Sequence, residues 1–512
     1  MLKPLVRNTM FTGMAHLAVG LIGFFIVPFL VRAYGMAGFG LIVLARVVLP
    51  TGPLSILDFG VSETTTQAVA RARADGSWAR ASGQTTLLLI TALAVGAIIG
   101  AVLVIGGPWA HRVVNIDPAQ RTGFSRVIQA TGWASPLLFA GLIVEGMTKG
   151  FERYDLLRLL EVLSALAFAG AAWVLIRSHR PGDAVALAFL LSQVGRGIVL
   201  LFSMIPLLRT TPLRLARWDA SMLQEVRQRS VLMFQSRVLG VVQFQSPPLL
   251  IGALVGPAGV GVYDILVRLP RFAKSVLSLL ISALLPVSAR LEAGRDHEKL
   301  KELGRAGFWL MPALAFPPLL AGAVFAPEFL RDWVGPTVVP LWPWFSLMFV
   351  VPLLNILLTY GQTLMQVRLS FLRANNRWLV AQAAGQMALS LAAVHFLKER
   401  AFIFGQVAAM VAVFPFVFRL LAREQGLPAR SVAGTVLRLL ALGVPLAAVA
   451  LAARWAGWVR GPVELVVAFG LWCGAYWALI YRWGVGPLER SVVARIASTV
   501  LRLESTAVGR PA

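Results

Sequence analysis

Charge is scarce in this chain, and acidic charge scarcest. Only 14% of its 512 residues are Asp, Glu, Lys or Arg, where a soluble domain carries about 25%. That shortage, with a mean hydropathy of +0.76, excludes an ordinary soluble enzyme. One cysteine, Cys473, is present, so no internal disulfide can form, and its apolar surroundings mark it as a packing residue. The five histidines are scattered without metal-ligand spacing, which leaves no basis for a metal site or other cofactor. No G-x-x-x-x-G-K-[ST] sequence occurs, so the chain is not itself an ATP-driven pump. The longest outer loop, about 107–124, offers no nucleophile–base arrangement for a membrane glycan polymerase or ligase.

What is present is a succession of apolar stretches. A helix needs roughly 20 apolar residues to cross a bilayer. Fourteen spans are expected, near 9–31, 39–69, 84–106, 125–148, 156–176, 184–208, 231–255, 261–289, 306–326, 338–366, 378–397, 401–421, 436–456 and 462–481. The chain is therefore expected to be an all-α integral membrane protein. Cytoplasmic loops retain Lys and Arg. With the N-terminus inside, 30 of the 47 basic residues fall in inner segments and 11 in outer ones. Both termini are thus placed in the cytoplasm. The net charge of +24 follows from this topology and from anionic inner-leaflet lipid, not from nucleic-acid binding. Trp109, Trp173, Trp333, Trp378, Trp455 and Trp483 sit near the expected boundaries, as an aromatic belt. Lys3 and Arg7 precede a first apolar stretch too long for a signal peptide, so it reads as an uncleaved span. Segment 209–230 and the tail 482–512 alternate apolar and basic residues and are expected as amphipathic helices on the inner leaflet.

An internal repeat organises the spans. FLVRAYGMAGFGLIVLARVV matches LLIGALVGPAGVGVYDILVRL at an offset of about 221 residues. Gly38–Phe39–Gly40 aligns with Gly259–Val260–Gly261, and Arg46 lands beside Arg268. Six spans separate the copies, so they share an orientation, as parallel repeats of transporters do. Two six-helix lobes, 1–208 and 231–421, are expected, joined by the linker 209–230 and followed by a helix pair at 436–481.

The informative polar residues lie inside the spans. In 261–282, Asp264, Arg268, Arg271, Ser275, Ser278 and Ser282 fall on one helix side. Lys274 sits about a quarter-turn off that stripe. Charges at membrane depth are costly and face wet cavities. At 1.5 Å per residue, Arg46 lies about 10 Å from the outer surface and Arg268 to Lys274 about 10 to 20 Å deep. Arg196 falls roughly 18 Å in, and Arg237 about 10 Å from the inner surface. These six cations suggest a positively charged passage for an anion, since Arg forks suit phosphates. The competing expectation is that some pair with Asp58, Glu63, Asp264 or Glu145. Asp58 and Glu63 could also serve as a hinge or gate, with proton coupling the weaker option at Asp58. Asn355, Thr359, Gln362 and Gln366 form an uncharged stripe that could hydrogen-bond sugar hydroxyls or neighbouring helices. Pro50–Pro53, Pro247–Pro248 and Pro317–Pro318 free backbone groups and permit bending.

The motifs VRAYGMAGFG, ILDFGVSETTTQAVARARADG, KGFERYD and LVGPAGVGVYDILVRL…LLPVSARLEAGRD resemble the multidrug/oligosaccharidyl-lipid/polysaccharide exporter superfamily, and within it the bacterial polysaccharide flippases. That resemblance implies two lobes about a central cationic cavity and an alternating-access cycle. It implies a polyprenyl-diphosphate-linked glycan as substrate, membrane lipids and polysaccharide polymerase or other biosynthesis proteins as partners, and the bacterial inner membrane as location. The pair 436–481 is similar to an extra pair that helps form a lipid-tail groove in some members. The nearest rival is a drug/cation antiporter of the same superfamily, which would favour buried carboxylates and an aromatic pocket.

Overall fold

The computed structural model describes residues 2–49, 60–224, 238, 240–282, 297–365 and 368–484. Every regular element among them is helical, as a bilayer demands of a chain that must satisfy its backbone internally. Eleven stretches among the described residues are long and apolar enough to cross a membrane. Asp58, Arg237, Gln366, the Pro50–Pro53 break and the tail beyond residue 484 lie outside the described residues.

Contacts divide the chain into two compact units, Met1–Leu269 with Ala383–Ala409, and Pro270–Gln382 with Met410–Ala512. The first opens with α1 (Leu2–Val47), two helices joined at a kink. Gly35 makes the kink at φ 66° and ψ −179°, a conformation in practice confined to glycine. It separates the expected first and second spans. The second continues as α2 (Val61–Asp75). Then come α3 (Trp78–Gly106), a short α4 (Ala110–Val113), α5 (Pro118–Gly150), α6 (Tyr154–Arg177) and α7 (Gly182–Thr210). Helices α3 and α5 approach closely because Gly100 and Gly132 face each other: a Cβ on either would lie under 3 Å from the other's carbonyl oxygen. Small residues at membrane helix contacts serve this purpose. Asp75 closes the α2–α3 turn by accepting from Ser77 N at 2.9 Å and Ser77 Oγ. Those hydrogen bonds hold its carboxyl below the usual range.

The helix expected over 209–230 is corrected at 211–219, while 225–230 lie outside the described residues. Beyond α7 the chain runs without helix until Ala220. Pro212 lacks the N–H that would extend α7, and the strap instead bonds to α3. Arg214 N donates to Ser82 Oγ at 3.1 Å and Ala216 N to Thr86 Oγ1 at 3.0 Å. A new helix starts only where Asp219 caps it, accepting from Met222 N at 2.8 Å.

The first unit also holds α8 (Ser246–Leu254) and the start of α9 (Pro257–Ser282). Helix α9 is not among the eleven apolar stretches, since Asp264, Arg268, Arg271 and Lys274 crowd it. Past it come α10 (His297–Val324), α11 (Ala326–Trp333), α12 (Trp342–Met348), α13 (Val350–Met365), α14 (Leu369–Leu397) and α15 (Arg400–Glu424). The chain's last helices are α16 (Ala429–Ala441), α17 (Gly443–Trp455) and α18 (Pro462–Leu479). Trp109, Trp173, Trp455 and Trp483 are exposed, as a belt requires, and Trp378 is half-buried. Trp333 is the exception: it is buried beside Phe329, packed inside the second unit.

Helix α18 docks on α10 through two backbone carbonyls, one of which a proline leaves unmatched. Pro317 has no N–H, so the Ala313 carbonyl lacks its helical donor. Trp477 Nε1 donates to that oxygen at 3.1 Å, and Trp472 Nε1 donates to Pro317 O at 2.9 Å. Arg454 adds a tie from α17, with Nε 2.7 Å from Glu328 Oε1 on α11. Replacing Trp477 by Phe keeps the ring and removes one hydrogen bond in hydrocarbon. Thermal unfolding in detergent is expected to show a loss of about 1 kcal/mol.

Candidate functional site

The two copies of the repeat meet in space. A Cβ on Gly40 would overlap the Pro257 carbonyl, and a Cβ on Gly261 would lie 2.5 Å from Met36 O. The equivalent glycines of α1 and α9 thus form one backbone-to-backbone crossing, as small residues allow between membrane helices. Six residues beyond Gly40 stands Arg46, and seven beyond Gly261 stands Arg268. The crossing therefore brings the two repeat-related arginines to the same region.

Arg268 is held on several sides. Its Nε donates to Asp264 Oδ2 at 2.9 Å, and its Nη2 donates to the same oxygen. This is an i, i+4 pair along one helix. Its Nη1 donates to the Gly23 carbonyl of α1 at 2.7 Å, and its guanidinium lies 6.0 Å from the centroid of the Phe39 ring. Arg46 is arranged differently. Its guanidinium lies 4.7 Å over the Phe189 ring of α7, within electrostatic range of both Arg268 and Asp264. Among the described residues it has no carboxylate at ion-pair distance. Among the described residues, two guanidinium groups therefore lie within electrostatic range of one carboxylate, which leaves a net positive charge. Buried charge without full compensation is expensive, and an arriving anion relieves it.

The remaining expected residues are distributed as follows. Arg196 of α7 pairs with Glu145 of α5 at 3.3 Å, and Lys149 meets the same carboxylate at 2.8 Å. Beside them lies a cavity of about 50 Å³ lined by Glu145, Gln193 and Arg196. Arg196 is thus engaged in an ion pair with one of the acids named as alternative partners. Arg271 and Lys274 follow along α9, both half-buried. Glu63 lies in the first turn of α2, where a carboxylate suits the positive end of the helix. On α13, Asn355 Nδ2 donates to Val351 O at 3.0 Å, and Gln362 Nε2 donates to Asn375 Oδ1 of α14 at 3.0 Å. Thr359 offers its carbonyl to Thr363 Oγ1 at 2.8 Å. Within the stripe, the side chains of Asn355 and Gln362 thus make an intrahelical and a helix–helix hydrogen bond. Sequence reasoning missed Phe189 and the Gly23 carbonyl, which only tertiary packing supplies.

Residues 5–292 match the profile of a family described as polysaccharide biosynthesis protein. The chain belongs to that family. Among solved structures, this family member is similar to the lipid II flippase MurJ in an inward closed conformation. The TM-score is 0.67 at 8% identity, covering 93% of this chain and 99% of that one. It is similar to an inward-facing multidrug resistance MATE transporter of the MOP superfamily at TM-score 0.62 and 15% identity, covering 81% and 94%. A MOP superfamily transporter from Pyrococcus furiosus, described as having a binding pocket of reverse polarity, follows at TM-score 0.57 and 15% identity, covering 83% and 96%. No curated protein sequence matched. At these identities the likeness establishes the MOP exporter fold.

Because the crossing sets the distance between Arg46 and Arg268, Gly40→Ala is expected to disturb both stability and the cluster. A lowered unfolding temperature, with loss of function beyond that of a surface Gly→Ala control such as Gly13→Ala, is the measurable outcome.

Proposed function

We propose that this protein is a flippase that moves a polyprenyl-diphosphate-linked oligosaccharide from the cytoplasmic to the outer leaflet of the bacterial inner membrane. The observation that carries this reading is the cluster of Arg46, Arg268 and Asp264, two cations to one anion within the span-forming helices. Family membership in polysaccharide biosynthesis and the fold likeness to a lipid II flippase support it.

The chemistry is a competition. Moving a diphosphate and many hydroxyls through hydrocarbon strips their hydration. Asp264 occupies the Arg268 fork in the way that a phosphate would, as an acceptor of two N–H bonds. An entering diphosphate carries more charge than one carboxylate, so it can take Arg268 from Asp264 and engage Arg46 as well. Asp264 then reclaims Arg268 when the substrate leaves, which keeps the site from holding its passenger too tightly. Lobes 1–208 and 231–421 would expose the site alternately to the two sides, with both termini cytoplasmic and the helix pair 436–481 beside the lipid tail. Arg271, Lys274 and Arg237 would extend the basic path.

A drug/cation antiporter of the same fold is the second reading, favoured by the MATE likeness. It would need a carboxylate available to a cation. Asp264 and Glu145 are each already held by Arg or Lys, which speaks against it. A glycan polymerase or ligase is less consistent still, since the transporter fold brings no reactive arrangement with it.

The deciding experiment replaces Arg46 and Arg268 by Glu in full-length protein. Expected are loss of surface glycan and accumulation of lipid-linked glycan inside the cell, at unchanged protein level. Normal glycan display would overturn the reading. Asp264→Asn removes the competing anion. It is expected to strengthen inorganic pyrophosphate binding to purified protein by about tenfold, for the gain of roughly 1.4 kcal/mol that one freed charge-assisted bond supplies, while slowing export.

A further inference from the structure

A second polar cavity, whose lining includes Ala45 but none of Arg46, Asp264 and Arg268, lies wholly within the first unit. It measures about 340 Å³ and is bounded by α1, α5 and α7, a size within the ~300–1,000 Å³ usual for small-ligand pockets. Tyr34, Gln120, Thr122, Gly123, Arg126 and Asp183 supply its polar and aromatic character. Its placement follows from backbone features. Tyr34 immediately precedes the Gly35 kink, so its ring stands where α1 turns. Gln120 and Thr122 belong to the first turns of α5, and Asp183 to the first turn of α7. The cavity therefore sits at the helix ends, which the charge bias of the loops places at the outer surface.

Its electrostatics differ from those of the transport site. Arg126 Nη1 lies 3.1 Å from Asp183 Oδ2, so one cation meets one anion and no net charge is left to attract a diphosphate. Gly123 leaves room for the Asp183 carboxyl, since a Cβ there would come within 3.0–3.1 Å of it. Tyr34 Oη is shielded from solvent and makes no hydrogen bond among the described residues, leaving a donor unmatched beside the cavity.

We propose that this cavity is a saccharide subsite that receives a sugar of the glycan at the outer end of the transport path. The proposal rests on the flippase reading and assigns the head of the substrate to a place distinct from that of its phosphates. A carboxylate, an amide and a hydroxyl around one cavity offer both acceptors and donors to sugar hydroxyls. The Tyr34 ring offers an apolar face to a sugar's C–H groups. A charge-balanced lining accepts a neutral polyol without the competition that a net-positive site would impose. Gln120 and Asp183 determine which sugar fits; Arg126 orients the Asp183 carboxyl.

The test uses the full-length chain in two assays. One is surface-glycan display in cells that depend on it. The other is calorimetric binding, to purified protein, of the monosaccharides released by acid hydrolysis of the host's own surface polysaccharide, with mannitol as control. Gln120→Ala and Asp183→Asn are each expected to weaken saccharide binding by about tenfold, the worth of one hydrogen bond to a charged or well-placed polar group, and to lower display at unchanged unfolding temperature. The exchange Arg126→Asp with Asp183→Arg preserves an ion pair between α5 and α7 but moves the carboxyl. It is expected to leave both functions impaired. Full restoration by the exchange means that the pair merely ties two helices together, and it overturns the proposal. Absence of saccharide binding to the unaltered protein, or wild-type display by both single variants, does the same. The Arg46→Glu, Arg268→Glu protein is expected to bind saccharide normally. Normal display by that variant, with binding and display still lost in the cavity variants, would strike the phosphate reading and leave the subsite standing.

Discussion

One carboxylate between two guanidinium groups is the constraint from which the rest follows. Asp264 neutralises half of the charge that Arg46 and Arg268 bring into the membrane-spanning helices. Removal of either arginine would leave a balanced pair, stable and inert. Removal of the carboxylate would leave two like charges with nothing between them. The observed ratio leaves the cluster poised: tolerable when empty because Asp264, the Gly23 carbonyl and the faces of Phe39 and Phe189 share the load, and more stable when an anion arrives. Cation–π contacts are well suited to this role. They stabilise a desolvated guanidinium by about 2 kcal/mol without using its N–H donors.

That poise depends on how closely two backbones approach. Arginine side chains are long, but a cluster that shares one carboxylate needs its helices within a narrow distance. The Gly40–Gly261 crossing sets it, and it does so with the same motif used twice. Duplication explains the economy of the arrangement. A repeat whose glycine lies one or two turns before an arginine brings two arginines together whenever its copies pack glycine to glycine. Asp264 has no acidic counterpart at the matching position of the first copy, where Val43 stands. The asymmetry that creates the net charge is thus a single substitution within a symmetric frame.

Much of this was legible before any coordinates. The repeat aligned Arg46 beside Arg268, and Asp264 stood among the acids that could pair with a cation of the spans. These signals are local or periodic, and local physics survives folding. The ring of Phe189, the Gly23 carbonyl and the cavity bounded by α1, α5 and α7 were not legible, because each depends on residues brought together from distant elements. The strap at 211–219 was misjudged for a different reason. Its apolar and basic residues alternate in a pattern compatible with a surface helix, but Pro212 and the hydroxyls of Ser82 and Thr86 decide otherwise. An extended backbone needs partners for its N–H groups, and α3 provides them. On α13 the alternative of helix–helix hydrogen bonding is seen at one residue of the stripe, where Gln362 donates to Asn375 of a neighbouring helix.

Proline and tryptophan on α10 and α18 show how the fold keeps flexibility without leaving backbone exposed to lipid. Each proline interrupts the helical ladder and frees a carbonyl, and a free carbonyl in hydrocarbon costs several kcal/mol. The indole N–H groups of Trp472 and Trp477 reach two carbonyls at the Pro317–Pro318 step. A helix repaired by a neighbour's side chain is easier to bend than one repaired by its own backbone, because an indole hydrogen bond can lengthen or swing while the backbone rearranges. It also makes bending of α10 conditional on α18. The C-terminal helices are therefore not a passive addition to α10. Through these two hydrogen bonds and the Arg454–Glu328 pair, they carry part of the cost of any conformation in which α10 straightens or folds further.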